Sequence, residues 1–84
     1  MHKRVEVEAT GFWHDFNIYL IVPDDFKDAD LTREIVKEAA FETQGIDLYG
    51  DCEISHGKLL AVKDEDIDFY EFFDVEGAKR WQRN

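Results

Sequence analysis

The chain has 84 residues, 44% hydrophobic and 14% aromatic, and carries a formal net charge of −10 from 20 acidic and 10 basic side chains. This length predicts a single domain over residues 1–84, and the hydrophobic content excludes an intrinsically disordered chain despite the high charge. Its one cysteine, Cys52, excludes an internal disulfide, and no apolar run approaches the roughly 20 residues of a membrane-spanning helix, so we expect a cytoplasmic protein.

The basic residues are concentrated at the two ends of the chain. Residues 5–77 contain all 20 acidic side chains but only five basic ones, which gives this stretch a net charge of −15. A stretch with this negative charge repels nucleic acid and anionic lipid, and it attracts a cationic surface. Solubility is the alternative explanation of the charge, because net charge affects association and does not determine the fold.

Two strands are predicted in the first 23 residues. Residues 4–10 alternate between apolar and polar or charged side chains, which indicates a half-buried strand, and residues 16–22 are rich in β-forming residues. The intervening residues 11–15, GFWHD, predict a hairpin loop, and Pro23 is expected to end the second strand.

A helix is predicted over residues 31–44, where apolar residues recur at helical spacing. Asp28 or Asp30 is expected to cap its N-terminus, and Gly45 is expected to end it in the left-handed conformation. Phe41 lies on the side opposite the apolar stripe, where it is either covered by a neighbouring segment or exposed.

Two further strands are predicted over residues 49–55 and 58–63, joined by a tight turn at His56 and Gly57. Cys52, in the first of these strands, is interpreted as a small core residue.

The stretch 64–76, DEDIDFYEFFDVE, alternates acids with four aromatic residues. Its β-forming residues favour a strand, although acids at its start and bases beyond its end also suit a helix. As a strand it would have one mainly apolar face, and its other face would carry Asp68, Tyr70, Phe72, Asp74 and Glu76. The final residues, 76–84, predict a short helix or a docked tail anchored by Trp81.

These elements predict an α+β fold with the order β-β-α-β-β-β. The expected architecture is a small antiparallel sheet with one helix packed on a face, with or without a short C-terminal helix.

No metal or cofactor is expected. Asp64, Asp66 and Asp68 match the opening of a calcium-binding EF-hand loop, but the sixth position is Phe69 where glycine is needed, and the twelfth is Val75 where a bidentate glutamate is needed. For zinc, Cys52 and His56 bracket a predicted turn, and two ligands do not make a site.

Enzymatic activity is not expected either. Ser55 and His56 are neighbours, so on a strand they would point to opposite faces and could not act together. The glycines are scattered and form no phosphate-binding loop. Direct binding of nucleic acid is disfavoured, because aromatic side chains that stack on bases normally accompany a basic groove, and here they alternate with acids.

Two acidic features predict a binding surface for a basic protein. Glu34, Glu38 and Glu42 recur every four residues, and this like-charge row costs a few tenths of a kcal/mol per pair without helping the fold. The stretch 64–76 adds aromatic anchors to carboxylates that pair with Lys and Arg. The candidate partner-binding residues are Asp64, Glu65, Asp66, Asp68, Tyr70, Phe72, Asp74 and Glu76, followed by Glu34, Glu38 and Glu42.

In size and charge the chain resembles small acidic inhibitors of nucleic-acid enzymes, such as phage anti-restriction and anti-CRISPR proteins and the acidic immunity proteins that block nucleases. That resemblance implies an inhibitor that occupies the basic nucleic-acid-binding site of a partner protein. The alternative is an accessory or assembly module that binds through an apolar sheet face or edge, or forms a homodimer, with acids only for solubility. Binding steered by charge weakens as salt rises, whereas apolar association does not.

Overall fold

The computed structural model describes residues 1–48 and 53–82. It confirms the α+β fold: a six-stranded sheet carries one α-helix, and the strand order is β3-β1-β2-β5-β6, with β4 also paired to β1. The sheet is mixed where an antiparallel one was predicted, because β2 and β5 run parallel while the other pairs are antiparallel. The elements are β1 (His2–Gly11), β2 (His14–Pro23), α1 (Arg33–Gln44), β3 (Ile54–His56), β4 (Leu60–Ala61), β5 (Phe72–Asp74) and β6 (Lys79–Arg80), with 3-10 helices at Asp28–Asp30 and Asp64–Phe69.

Strands β1 and β2 form the predicted hairpin, but its turn is shorter than expected. Gly11 pairs with His14, so only Phe12 and Trp13 form the turn, where a loop over residues 11–15 was expected. Both turn residues have positive φ, 49° and 71°, as a type I′ turn requires. A type I′ turn normally contains Asn-Gly, because most other residues are strained in the left-handed region. Phe12 and Trp13 do not match this preference, so the sequence predicted a longer loop.

Helix α1 begins later than predicted and ends where predicted. Thr32 caps it by accepting a hydrogen bond from the Ile35 N–H at 3.3 Å, so the expected cap at Asp28 or Asp30 is wrong. Both aspartates belong to the first 3-10 helix, and the Asp30 carboxylate accepts the Lys27 N–H instead. Gly45 has φ 69° and ends the helix in the left-handed conformation, as predicted.

The core lies between α1 and the inner face of the sheet. Alternate residues of β1 and β2 point into it, as their periodicity predicted, and α1 contributes the face that contains Val36, Ala39 and Ala40. Phe41, on the opposite side of α1, is 56% exposed. The other buried core members are Val5, Val7, Ala9, Phe16, Ile18, Leu20, Val22, Leu31, Leu48 and Phe73.

The predicted hairpin at His56 and Gly57 is wrong. Strands β3 and β4 do not pair with each other, because both run antiparallel along the outer edge of β1. From Ala9 to Glu6 β1 advances three residues, while the opposing segment advances four, from His56 to Leu60. The extra residue forms a bulge, so β3 and β4 are two parts of one interrupted strand. This strand covers more of the β1 edge than a hairpin with a tight turn at Gly57 would. Residues 49–52 of the predicted strand, including Cys52, lie outside the described residues.

The stretch 64–76 is not a continuous strand. Its acidic start forms the second 3-10 helix, Asp64–Phe69, and only Phe72–Asp74 joins the sheet as β5. Acids in the first turn suit a helix N-terminus, whereas β5 lies between β2 and β6 with Phe72 and Phe73 buried on opposite faces.

The described part of the C-terminal segment contains no helix, so the short helix that the sequence allowed does not form there. Lys79–Arg80 forms β6, which pairs with β5, and the Trp81 N–H donates to the Phe72 carbonyl at 2.8 Å. The tail is therefore docked through Trp81, the other arrangement that the sequence indicated. A strand is favoured over a helix because β5 offers it an unpaired edge.

Candidate functional site

The predicted site residues are distributed over three different parts of the fold. The first is the acidic turn, which we define as Asp64, Glu65, Asp66 and Asp68 on the second 3-10 helix. The second is the helix row, Glu34, Glu38 and Glu42 on α1. The remaining residues, Tyr70, Phe72, Asp74 and Glu76, lie on or beside the outer face of the sheet, the face opposite α1.

The helix row has the geometry that its spacing predicted. All three glutamates are exposed on α1, and none of their side chains makes an ion pair or hydrogen bond within the described residues. Their carboxylates repel one another, so the row adds charge to the surface without adding stability.

The outer face carries a second, smaller group of packed rings, the outer cluster, which we define as Tyr19, Tyr70, Phe72 and Trp81. Tyr19 and Tyr70 stack with their ring centroids 4.0 Å apart and their planes at 10°. Phe72 meets Tyr19 and Trp81 edge to face, at 6.0 and 6.2 Å. Such pairs contribute about 0.5–1.5 kcal/mol beyond the area they bury.

Phe72 cannot serve as the partner-binding anchor that the sequence suggested. Its side chain is 0% exposed, because the outer cluster covers it where an open strand face was expected.

The side chains of Asp74 and Glu76 also make contacts within the chain. Asp74 accepts the backbone N–H groups of Glu76 and Gly77, and the Glu76 carboxylate contacts the His2 ring.

Arg4 closes the outer cluster from the N-terminal strand. Its guanidinium lies 5.3 Å from the centroid of the Trp81 ring and 5.9 Å from that of Phe72, within the range of cation–π attraction. Its Nε is buried without a hydrogen-bond partner in the described residues. The sequence showed Arg4 only as one of the bases near the chain start, because Arg4 and Trp81 are 77 residues apart and only the sheet brings them together.

The Tyr19 hydroxyl is held at the border of this cluster by the Glu6 carboxylate, to which it donates at 3.1 Å. Burial raises the pKa of the Tyr19 phenol to about 12, and the hydrogen bond to Glu6 adds to the shift. The same carboxylate accepts the Asn17 side-chain amide at 3.3 Å. Glu6 therefore orders two neighbouring side chains of β2.

We expect this pKa to appear as a late phenol titration and as a loss of stability in base. Unfolded Tyr19 loses its proton near pH 10, whereas the folded form keeps it to about 12. Its contribution to the free energy of unfolding is therefore intact below about pH 10 and declines as the pH rises towards 12. In a titration followed by tyrosinate absorbance, Tyr19→Phe should remove the latest transition, and Glu6→Gln should move it to lower pH. Titration of every phenol together near pH 10 would contradict this assignment.

A wide groove extends from the outer face, next to the outer cluster, to the C-terminal end of α1, and we call it the outer groove. Its volume is about 890 Å³, and it is open to solvent. The described lining residues are Glu8, Ala9, Thr10, Asp15, Phe16, Asn17, Tyr19, Thr43, Gln44, Ser55, His56, Gly57, Phe69, Tyr70 and Glu71. Of the predicted site residues only Tyr70 is among them.

The carboxylates of the outer groove, Glu8, Asp15 and Glu71, were missed by sequence reasoning. The alternation in residues 4–10 already placed Glu8 on the polar face of its strand. Asp15 was assigned to the hairpin loop, so its position on the same face became visible only from the register, in which Thr10 pairs with Asp15 and Glu8 with Asn17.

In residues 1–48 and 53–82, no group of three or more His, Asp or Glu side chains is arranged to hold a metal ion. The helices within this part of the chain are too short or too polar to cross a membrane. Comparison with protein-family models, with curated proteins and with solved structures finds no match to the chain.

Proposed function

We propose that this protein is a non-enzymatic binding protein, an acidic inhibitor that occupies the basic nucleic-acid-binding site of a partner protein. The observation that carries the proposal is the accessibility of its negative charge. No charged residue in the described ranges is buried, and 20 acidic residues stand against 10 basic ones in the chain. A cleft built to hold phosphates would attract such a surface and pair its Lys and Arg side chains with carboxylates.

Two ion pairs hold acidic side chains of the described ranges, His2 with Glu76 and Arg80 with Glu71 at 3.7 Å, and both are exposed. Exposed pairs contribute about 0–1 kcal/mol, so a stronger cationic partner could replace them at small cost. The helix row has no partner within the described residues, so its charge is available for binding.

The acidic turn supports the same function because it leads directly into exposed aromatic surface. Phe69 ends the second 3-10 helix and is 78% exposed. Carboxylates steer a basic partner towards the surface, and an aromatic side chain supplies contact area once the partner has docked. A surface used only for solubility has no need of this combination.

Competition with nucleic acid tests this function. The immobilised protein is incubated with nuclease-treated bacterial lysate at low and high salt, and retained proteins are identified by mass spectrometry. Each is then purified and mixed with a labelled oligonucleotide in the presence and absence of the protein. We expect a basic nucleic-acid-binding protein that salt releases and that loses the oligonucleotide when it binds this chain. A ternary complex with both ligands would reject the inhibitor, and a neutral, salt-insensitive partner would favour the accessory-module alternative.

Two matched triple variants measure how much of the binding depends on the acidic turn. Asp64→Asn, Glu65→Gln and Asp66→Asn together remove three charges there, and Glu34→Gln, Glu38→Gln and Glu42→Gln remove three from the helix row. We expect the first triple to weaken partner binding about tenfold and to reduce its salt dependence. The second should weaken binding less, by about threefold, because the helix row adds to the long-range attraction but lies on α1, whereas the acidic turn is on the segment that ends in Phe69.

The comparison is informative because both triples leave the same net charge of −7. Isothermal calorimetry at several salt concentrations gives the affinities, and thermal unfolding checks that both variants are folded. Equal losses would mean that only total charge matters, and no loss in either would reject both surfaces.

A further inference from the structure

The outer groove has the composition of a site for a cationic side chain. Its lining residues include three with carboxylates, Glu8, Asp15 and Glu71, and two with aromatic rings, Phe69 and Tyr70. No Lys or Arg is among its described lining residues, and His56 is the only one of them whose side chain can become positive. A Lys or Arg side chain that entered the groove would therefore meet negative charge, although the Arg80 guanidinium already lies 3.7 Å from one of these carboxylates, Glu71.

Glu8 is the carboxylate that the fold leaves available. Asp15 accepts the Thr10 hydroxyl at 2.7 Å, and Glu71 lies 3.7 Å from the Arg80 guanidinium, but Glu8 makes no side-chain hydrogen bond or ion pair within the described residues. Glu8 pairs with Asn17 across the sheet, so Asp15 is its diagonal neighbour on the same face. The Cα atoms of such diagonal neighbours are about 7–8 Å apart. A guanidinium between them could donate to both.

The aromatic wall supplies the second half of such a site. Tyr70 is held in place by its stack on Tyr19, and Phe69 is 78% exposed at the rim. A cation over the face of such a ring gains about 0.5–1 kcal/mol at an exposed site and more when it loses water. Arginine exploits both features best, because its planar guanidinium can stack on a ring and donate to carboxylates together.

We propose that the outer groove binds an arginine or lysine side chain of the basic partner, placed between the Glu8 and Asp15 carboxylates and the Tyr70 and Phe69 rings. This inference rests on the proposed function and assigns a specific docking point to it.

A second copy of the chain is a poor occupant of the groove, because it would bring further carboxylates and a net charge of −10. Addition of a strand along β2 is also unfavourable there, since the side-chain amide of Gln44 already donates to the Asn17 carbonyl at the edge that β5 leaves unpaired. The groove therefore receives a side chain rather than a backbone.

A pair of peptides tests the proposal without knowledge of the partner. One is an acetylated, amidated heptapeptide that alternates arginine with threonine, and its control carries citrulline, which keeps the shape of arginine but has no charge. Binding is followed by amide chemical shifts of the isotope-labelled protein at low salt. We expect the arginine peptide to shift the amides around Glu8, Asp15–Asn17 and Glu71, and the citrulline peptide to bind at least about tenfold more weakly.

Two matched double variants locate the site. Glu8→Gln with Asp15→Asn removes two charges from the groove and preserves the acceptor for Thr10, and we expect it to weaken the arginine peptide about tenfold. Asp24→Asn with Asp25→Asn removes two charges from the exposed loop after β2, outside the groove, and should change the affinity by less than about twofold.

The outcomes separate this inference from the function on which it rests. Equal losses in the two double variants, equal binding of the two peptides, or shifts confined to the acidic turn or the helix row would each overturn the groove as the docking point. If a basic partner is still captured and still loses its oligonucleotide, the proposed function survives that result. If no basic partner is captured at all, the function fails, even where the arginine peptide binds the groove.

Discussion

Phe72→Ala is expected to lower the free energy of unfolding by about 3–5 kcal/mol, which is most of the stability of a domain this small. The ring is 0% exposed and lies against Tyr19, Trp81 and the Arg4 guanidinium. Its removal leaves a cavity on the outer face and exposes the neighbouring rings. Urea unfolding followed by circular dichroism measures the change.

Phe69→Ala is the matched control, since it makes the same substitution three residues earlier. That side chain is 78% exposed, so its removal should change the free energy of unfolding by less than about 0.5 kcal/mol. A Phe72→Ala variant as stable as Phe69→Ala would show that the outer cluster does not hold the fold. The pair also decides how binding data are interpreted. Lost binding in Phe72→Ala reports unfolding, whereas lost binding in Phe69→Ala reports contact with the partner.

Replacement of the hairpin turn Phe12-Trp13 by Asn-Gly is expected to raise the free energy of unfolding by about 1–2 kcal/mol. Both residues have positive φ, which costs about 1–2 kcal/mol for an ordinary L-residue and little for Asn or Gly. Trp13 is 98% exposed, so its removal loses almost no packing, and the partial burial of Phe12 offsets part of the gain. Chemical unfolding of the two proteins gives the difference directly.

The control for the turn is Trp13→Ala, which removes the exposed ring but keeps an ordinary residue at positive φ. It should leave the stability within about 0.5 kcal/mol. Neither turn residue lines the outer groove, so the Asn-Gly variant should bind the arginine peptide as the parent does. Unchanged or reduced stability of the Asn-Gly variant would mean that contacts of Phe12 outweigh the backbone strain.

The outer groove could be predicted only in part from the sequence. The alternation in residues 4–10 put Glu6 and Glu8 on one polar face, and the stretch 64–76 contained the aromatic residues that line its other side. The two halves could not be joined, because their contact depends on the parallel pairing of β2 with β5, which no local pattern encodes. Phe72 was placed among the binding residues for the same reason, since an isolated strand has no neighbours to bury its outer side.

The C-terminal half was harder to predict because its elements are short and defined by their partners. β3, β4, β5 and β6 contain two or three residues each, too few for a hydrophobic period to distinguish strand from helix. The local preference of Gly57 favoured a hairpin between β3 and β4. The free edge of β1 instead offers both strands backbone hydrogen-bond partners, and they pair with it.

The sequence by itself determined the α+β class, the first hairpin, helix α1 with its end at Gly45, and the excess of negative charge. Each of these follows from composition or from short-range periodicity, because such local preferences are the same whichever tertiary fold the chain adopts. Only the tertiary structure decided where the acids and rings meet, that Phe72 is buried, and that Arg4 packs on Trp81. Those outcomes depend on contacts between residues far apart in the chain. Such contacts contribute to stability only after the sheet has brought these residues together.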